Sequence, residues 1–134
     1  FVIVFATLWW TVGFNMVLYL AALQDIPESF YEAAEVDGAT KLQQLLYITL
    51  PSLKPITGVV TLLQIIFSFK IFSQVWLITG GGPGTETRPI VQYIYETSFK
   101  QNSMGYGAAM AFAFFIILVI VSMIQIYLRN RKEV

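Results

Sequence analysis

Three long runs with almost no charge limit what this chain can fold into. Residues 1–23 carry no charged side chain, residues 55–82 carry only Lys70, and residues 101–128 carry none. Crossing the hydrocarbon core of a bilayer takes about 20 apolar helical residues, and each run is long enough. Helix is the expected form, because no water is available there to satisfy backbone polar groups. Three such runs in 134 residues exceed what the core of a soluble domain needs. The expectation is an all-α integral membrane fold with three transmembrane helices, at 1–24, 55–79 and 105–128. A cytoplasmic helix–bend–helix insert over 25–54 and an external loop over 80–104 would join them, with a cytoplasmic tail at 129–134.

Composition agrees and removes several function classes. Charged residues are 12% of the chain and mean hydropathy is +0.69, whereas a soluble domain carries about 25% charged residues. Aromatics reach 16%, which suits lipid-facing and interfacial surfaces. The net charge of zero gives no field for nucleic acid. With no cysteine and no histidine, disulfides, thiolate or imidazole metal sites and Cys/His catalysis are excluded. No enzymatic role is expected. The opening FVIVF has no basic segment before it, so it does not read as a signal peptide. The chain reads as the carboxy-terminal part of a longer protein.

Basic residues near the span ends set the expected orientation. Lys41 and Lys54 lie in the first connection and Arg129, Arg131 and Lys132 in the tail, against Arg88 and Lys100 in the second connection. Five face two, which places the insert and tail in the cytoplasm and the second connection outside.

The insert divides in two. Pro27 suits a first helical turn, with Glu28 near the positive helix end. Gly38 is a natural stop or bend. A second short helix is expected with Leu42, Leu45, Leu46 and Thr49 on one face. Pro51 and Pro55 are expected to close it, with extended backbone before each. The external connection starts with GGGPGTETRP, read as a flexible, turn-rich run. An amphipathic helix, IVQYIYETSFK, follows. Its apolar stripe is Ile90, Val91, Ile94, Tyr95 and Phe99, with Gln92, Glu96 and Lys100 largely opposite. The third span opens with GYGAAMAFA, small residues that permit close packing.

Glu32-Ala33-Ala34, three residues, Gly38, nine residues, Ile48, one residue and Leu50-Pro51 resemble the EAA loop of ATP-binding-cassette importer permeases at every fixed position. The flanking runs LQDIPESFYEAAEVDGA and FKIFSQVWLITGGGPGTET are similar to type I permeases of the carbohydrate-uptake class. The similarity covers nearly the whole chain and corresponds to the second half of such a subunit. It implies that the insert docks in a cleft of a cytoplasmic ATPase dimer, with Glu32, Ala33, Ala34, Gly38, Ile48, Leu50 and Pro51 as the docking residues. It also implies a second permease subunit, an extracytoplasmic sugar-binding protein facing the outer loop, and a bacterial or archaeal cytoplasmic membrane. ATP and magnesium would bind the ATPase, leaving this chain without a cofactor. An amphipathic interfacial helix is the alternative for the insert. Its acidic balance argues against that, since anionic leaflets favour basic faces.

The spans supply candidates for a solute path. Thr7, Trp10, Thr11 and Phe14 recur at i, i+3, i+4 and i+7, on one side of a helix, with Asn15 nearby. Hydroxyls beside aromatic rings suit a sugar, and ordinary interhelical packing is the alternative. Gln64, Ser68 and Ile71 share a face of the second span on the same terms. Lys70 is an ionisable group within a span and so a functional candidate. It would serve an anionic solute, or else mark a helix break where water, carbonyls or another subunit satisfy it. A permease of the same superfamily for a phosphorylated polyol, sugar acid, amino acid or peptide remains open. An ion-coupled carrier would show acids or histidine within its spans, and here there are none.

Overall fold

The computed structural model describes residues 1–130. Arg131 and Lys132, counted in the orientation argument, lie outside the described residues. Among those described, every regular element is helical. Helices α1 (Val2–Gln24) and α8 (Met104–Asn130) are the long ones, with 23 and 27 residues. At 1.5 Å per residue they reach about 35 and 40 Å, more than a hydrocarbon core of about 30 Å. Both are long and apolar enough to cross a membrane, and α1 carries no charge at all.

The middle run differs in form. Helix α5 (Lys54–Phe69) stops after 16 residues, and α6 (Ser73–Ile78) starts beyond a three-residue break. At about 24 Å, α5 alone falls short of a full crossing. Lys70 stands at the break, the helix interruption allowed for above. Before α5 come α2 (Glu28–Val36), α3 (Lys41–Gln44) and α4 (Leu50–Ser52), with a π-helical turn, Leu45–Thr49, joining α3 to α4. Counted as one bent element, Lys41–Ser52 with Lys54–Phe69 gives a third candidate crossing, bent by 55°.

The structure overturns the expectation of extended backbone before Pro51. Leu50 is helical (φ −63°, ψ −42°), and α4 runs through the proline. Pro51 has no N–H to return to the carbonyl four residues earlier. The preceding turn is widened instead, and the Leu50 N–H bonds the Leu45 carbonyl five residues back. A π turn therefore takes up the irregularity that the sequence assigned to a chain break.

Two units make up the chain. One is residues Trp9–Thr61, and the other is Phe1–Leu8 with the chain from Leu62 onward. In the first, the Tyr19 hydroxyl donates to Thr57 Oγ1 at 3.2 Å, joining α1 to α5. The second holds α6, helix α7 (Ile90–Tyr95), a second π turn (Glu96–Lys100) and α8.

Candidate functional site

The insert is built for exposure. Helix α2 ends at Asp37, and Gly38 takes φ +78°, the left-handed conformation that reverses the chain. The N–H groups of Gly38 and Ala39 return to the carbonyls of Glu35 and Ala34. Thr40 then opens α3 with a capping box: its hydroxyl accepts from Gln43 N–H, and Gln43 Oε1 accepts from Thr40 N–H at 2.7 Å. That T-x-x-Q signal was readable in the sequence. The hydroxyls of Tyr31 and Thr49 share a hydrogen bond of 2.8 Å, which ties α2 to the π turn. Glu35 and Lys41 form an exposed ion pair across the bend. The Lys41 ammonium holds the Glu35 carboxyl below its ordinary value of 4.5.

On this frame Glu32, Ala33, Gly38, Leu50 and Pro51 are exposed, while Ala34 and Ile48 are half-buried. Phe30, Val36, Leu42, Leu46 and Tyr47 are also exposed, Val36 at 88%. These apolar side chains lie in the same insert as the exposed acids Glu28, Glu32 and Asp37. The EAA residues thus fall on one small, stiffened unit.

The candidate path residues divide between the two units. In the first, Thr11 is buried at 8% exposure, Asn15 is half-buried, and Trp10 and Phe14 are exposed, Trp10 at 78%. In the second, Thr7 donates to the Ile3 carbonyl at 2.8 Å. Gln64 and Ile71 are half-buried and Ser68 is exposed. Lys70 borders an open groove of about 500 Å³ whose walls include Ile66, Phe114, Leu118 and Ser122. Among the described residues no carboxylate pairs with Lys70, since the three ion pairs involve Lys41, Arg88 and Lys100.

The second connection is turn-rich, as expected, but more closely bonded than a flexible run. GGGPGTETRP is tied together by bonds. The Thr87 hydroxyl donates to the Gly82 carbonyl at 2.7 Å and lies 2.9 Å from the Thr79 hydroxyl. The Thr87 N–H reaches the Gly81 carbonyl at 3.2 Å. In the following helix a polar residue is buried. Gln92 is fully buried and Thr97 nearly so, while Ile90, Tyr95 and Phe99 are exposed. Glu96 accepts from Arg88 at 3.0 Å and from Gln92 at 3.1 Å, and Lys100 stands 3.5 Å away. Of the apolar stripe Val91 and Ile94 are half-buried, and of the polar side Lys100 is exposed, so each face is divided, and the α-helical period gives way to a π turn at Glu96.

A largely apolar all-α chain with two crossing helices, a third broken one and an exposed helix–bend–helix insert defines a membrane permease subunit. The chain belongs to the family of binding-protein-dependent transport system inner membrane components, whose match covers residues 1–134. It is 40% identical over 129 residues to the arabinooligosaccharides transport system permease protein AraP of Halalkalibacterium halodurans, covering 96% of this chain and 41% of that protein. It is 36% identical over 132 residues to the probable starch degradation products transport system permease protein AmyD of Thermoanaerobacterium thermosulfurigenes, covering 98% and 45%. Among solved structures it resembles a bacterial ABC transporter involved in import of the acidic polysaccharide alginate. The TM-score there is 0.69 and the identity 25%, covering 93% of this chain and 44% of that one. The chain spans less than half the length of these relatives. The resemblance drawn from the EAA spacing is confirmed.

Proposed function

We propose that this chain is part of the membrane subunit of an ATP-driven sugar importer, and that it couples solute movement to a cytoplasmic ATPase dimer. One observation carries the reading. The EAA residues form an exposed helix–bend–helix whose geometry is fixed by Gly38, the Thr40–Gln43 box and the Tyr31–Thr49 bond. Glu32 offers a carboxylate to a basic group of the ATPase, and Ala33 and Ala34 keep the helix face low enough to enter a groove. ATP and magnesium belong to that partner. Closure of the ATPase dimer would move the insert and rock the spans, in a bacterial or archaeal cytoplasmic membrane. A second permease subunit completes the path, and the outer connection receives the solute from a soluble binding protein.

Sugar is the solute that best suits the hydroxyl, amide and aromatic groups of Trp10, Thr11, Phe14 and Asn15 in one unit and the polar groups of Thr7, Gln64 and Ser68 in the other. The printed names of AraP and AmyD support it.

The test is Glu32→Lys in the full transporter. Reversing one partner of an interfacial charge pair costs about 2–5 kcal/mol. We expect sugar uptake per ATP hydrolysed to fall by at least about tenfold, with the complex still assembled in the membrane. Uptake coupled to hydrolysis as in the wild type would exclude Glu32 from docking. Trp10→Ala tests the path, with a severalfold weaker sugar uptake expected at unchanged assembly.

The unpaired Lys70 favours one second reading, an acidic sugar. Lys70→Gln would then impair uptake of a uronic-acid oligosaccharide and spare that of a neutral one; equal effects on both would end that reading.

A further inference from the structure

The outer connection contains a buried polar group that packing alone does not call for. Gln92 is fully buried, and its Nε2 donates to the Gly80 carbonyl at 2.8 Å and to Glu96 Oε1 at 3.1 Å. Its own Oε1 accepts no hydrogen bond among the described residues. Burying an amide with one side unsatisfied is costly, and an apolar side chain of similar length would fill the same space. What the amide adds is direction, because it fixes the Gly80 carbonyl.

Backbone and neighbours are shaped around that amide. Gly81 has φ +95°, and a Cβ there would lie 2.7 Å from Gln92 Nε2. The Thr79, Gly82 and Thr87 bonds close the loop just beyond. Glu96 joins Gln92 to Arg88, and Arg88 lies over the Tyr93 ring at 4.8 Å. Below, Phe72, Trp76, Tyr95 and Phe99 pack ring to ring at 5.3–5.6 Å. The tip held by this arrangement, Pro83 to Glu86, is wholly exposed. The buried amide therefore anchors an exposed tip.

We propose that Gln92 is a positioning residue for docking of the soluble solute-loaded protein. By holding the Gly80 carbonyl it presents the Pro83–Glu86 tip already in its docked shape. This inference rests on the reading of the outer connection given under Proposed function. An ordered tip spares the partner the entropy of fixing it. Even one backbone residue ordered in advance corresponds to about five- to thirtyfold in affinity.

The experiment uses the full transporter in proteoliposomes with its binding protein. Gln92→Met keeps side-chain length and removes the amide. The expected result is a rise of about five- to thirtyfold in the KM for the solute-loaded binding protein, with kcat and basal ATP hydrolysis unchanged. Gly81→Ala, which pushes against the same amide, is expected to act in the same direction. The two together are expected to be less than additive. A spin label on Thr85→Cys, in a transporter whose other cysteines have been replaced, reports the tip, and its mobility is expected to rise in both variants. A KM within about twofold of wild type in both variants overturns the proposal, as does a raised KM with an unmoved label. If Gln92→Met fails to assemble, Gly81→Ala decides by the same two readouts. Absence of any stimulation of the wild-type complex by the loaded binding protein removes the docking reading itself, and this inference with it.

Discussion

Glu96 shows how much one residue organises. Its carboxylate accepts from Gln92 and Arg88 and faces Lys100, so it is held below its ordinary value of 4.5 despite partial burial. The Gln92 hydrogen bond is the largest cause. A depressed folded pKa stabilises the structure above the unfolded value and loses that stabilisation as pH falls through the lowered one. Acidification below pH 4.5 is therefore expected to lower the amide-exchange protection factors over residues 79–100, after correction for the intrinsic pH dependence of exchange, and Glu96→Gln to flatten that dependence. Gly107 makes a comparable demand. A Cβ there would sit 1.8 Å from Ser98 Oγ and 3.3 Å from the Ser98 Cα. Gly107→Val is expected to cost about 1–3 kcal/mol in the thermal stability of the detergent-solubilised subunit. Ser98→Ala should recover only part of that, since the backbone contact remains. The small-residue run opening the third span was legible as a packing signal. Its partner was not, because the surface that touches Gly107 is a π turn from the preceding connection.

At the scale of elements, sequence reading succeeded where one residue type dictates backbone conformation and failed where two solutions satisfy the same pattern. Gly38 announced the bend, and the EAA spacing announced the insert. Pro51 announced an irregularity without its form, since a missing N–H is accommodated by a chain break or by a wider turn. The helix containing Gln92 had the right period, but period alone does not say which face is wet. Gln92 is held inward by bonds to the Gly80 carbonyl, twelve residues earlier, and to Glu96. The Pro51 turn can be tested directly. Pro51→Ala restores a donor and allows a regular helix over 41–52, which turns the π segment relative to α2 and strains the Tyr31–Thr49 bond. Coupled uptake is expected to fall severalfold, with assembly and basal ATP hydrolysis retained; unchanged coupling would show that the π form is incidental.

For the whole molecule, the outstanding inference is sidedness, which rests on five basic residues against two. Single substitutions Thr40→Cys and Thr85→Cys, both at exposed positions, make it measurable. In sealed right-side-out vesicles an impermeant maleimide is expected to label the second and spare the first, and inverted vesicles are expected to reverse the result. The third crossing was the part of the architecture least legible in the sequence. An apolar run of adequate length does not reveal that its helix ends at Phe69. That interruption has a mechanical consequence. Helix α5 is a rod of about 24 Å that starts where the insert ends. At Phe69 the rod ends, and Lys70, Ile71 and Phe72 interrupt the helix before α6 begins at Ser73. A displacement of α5 therefore need not carry α6 and the loop beyond it along.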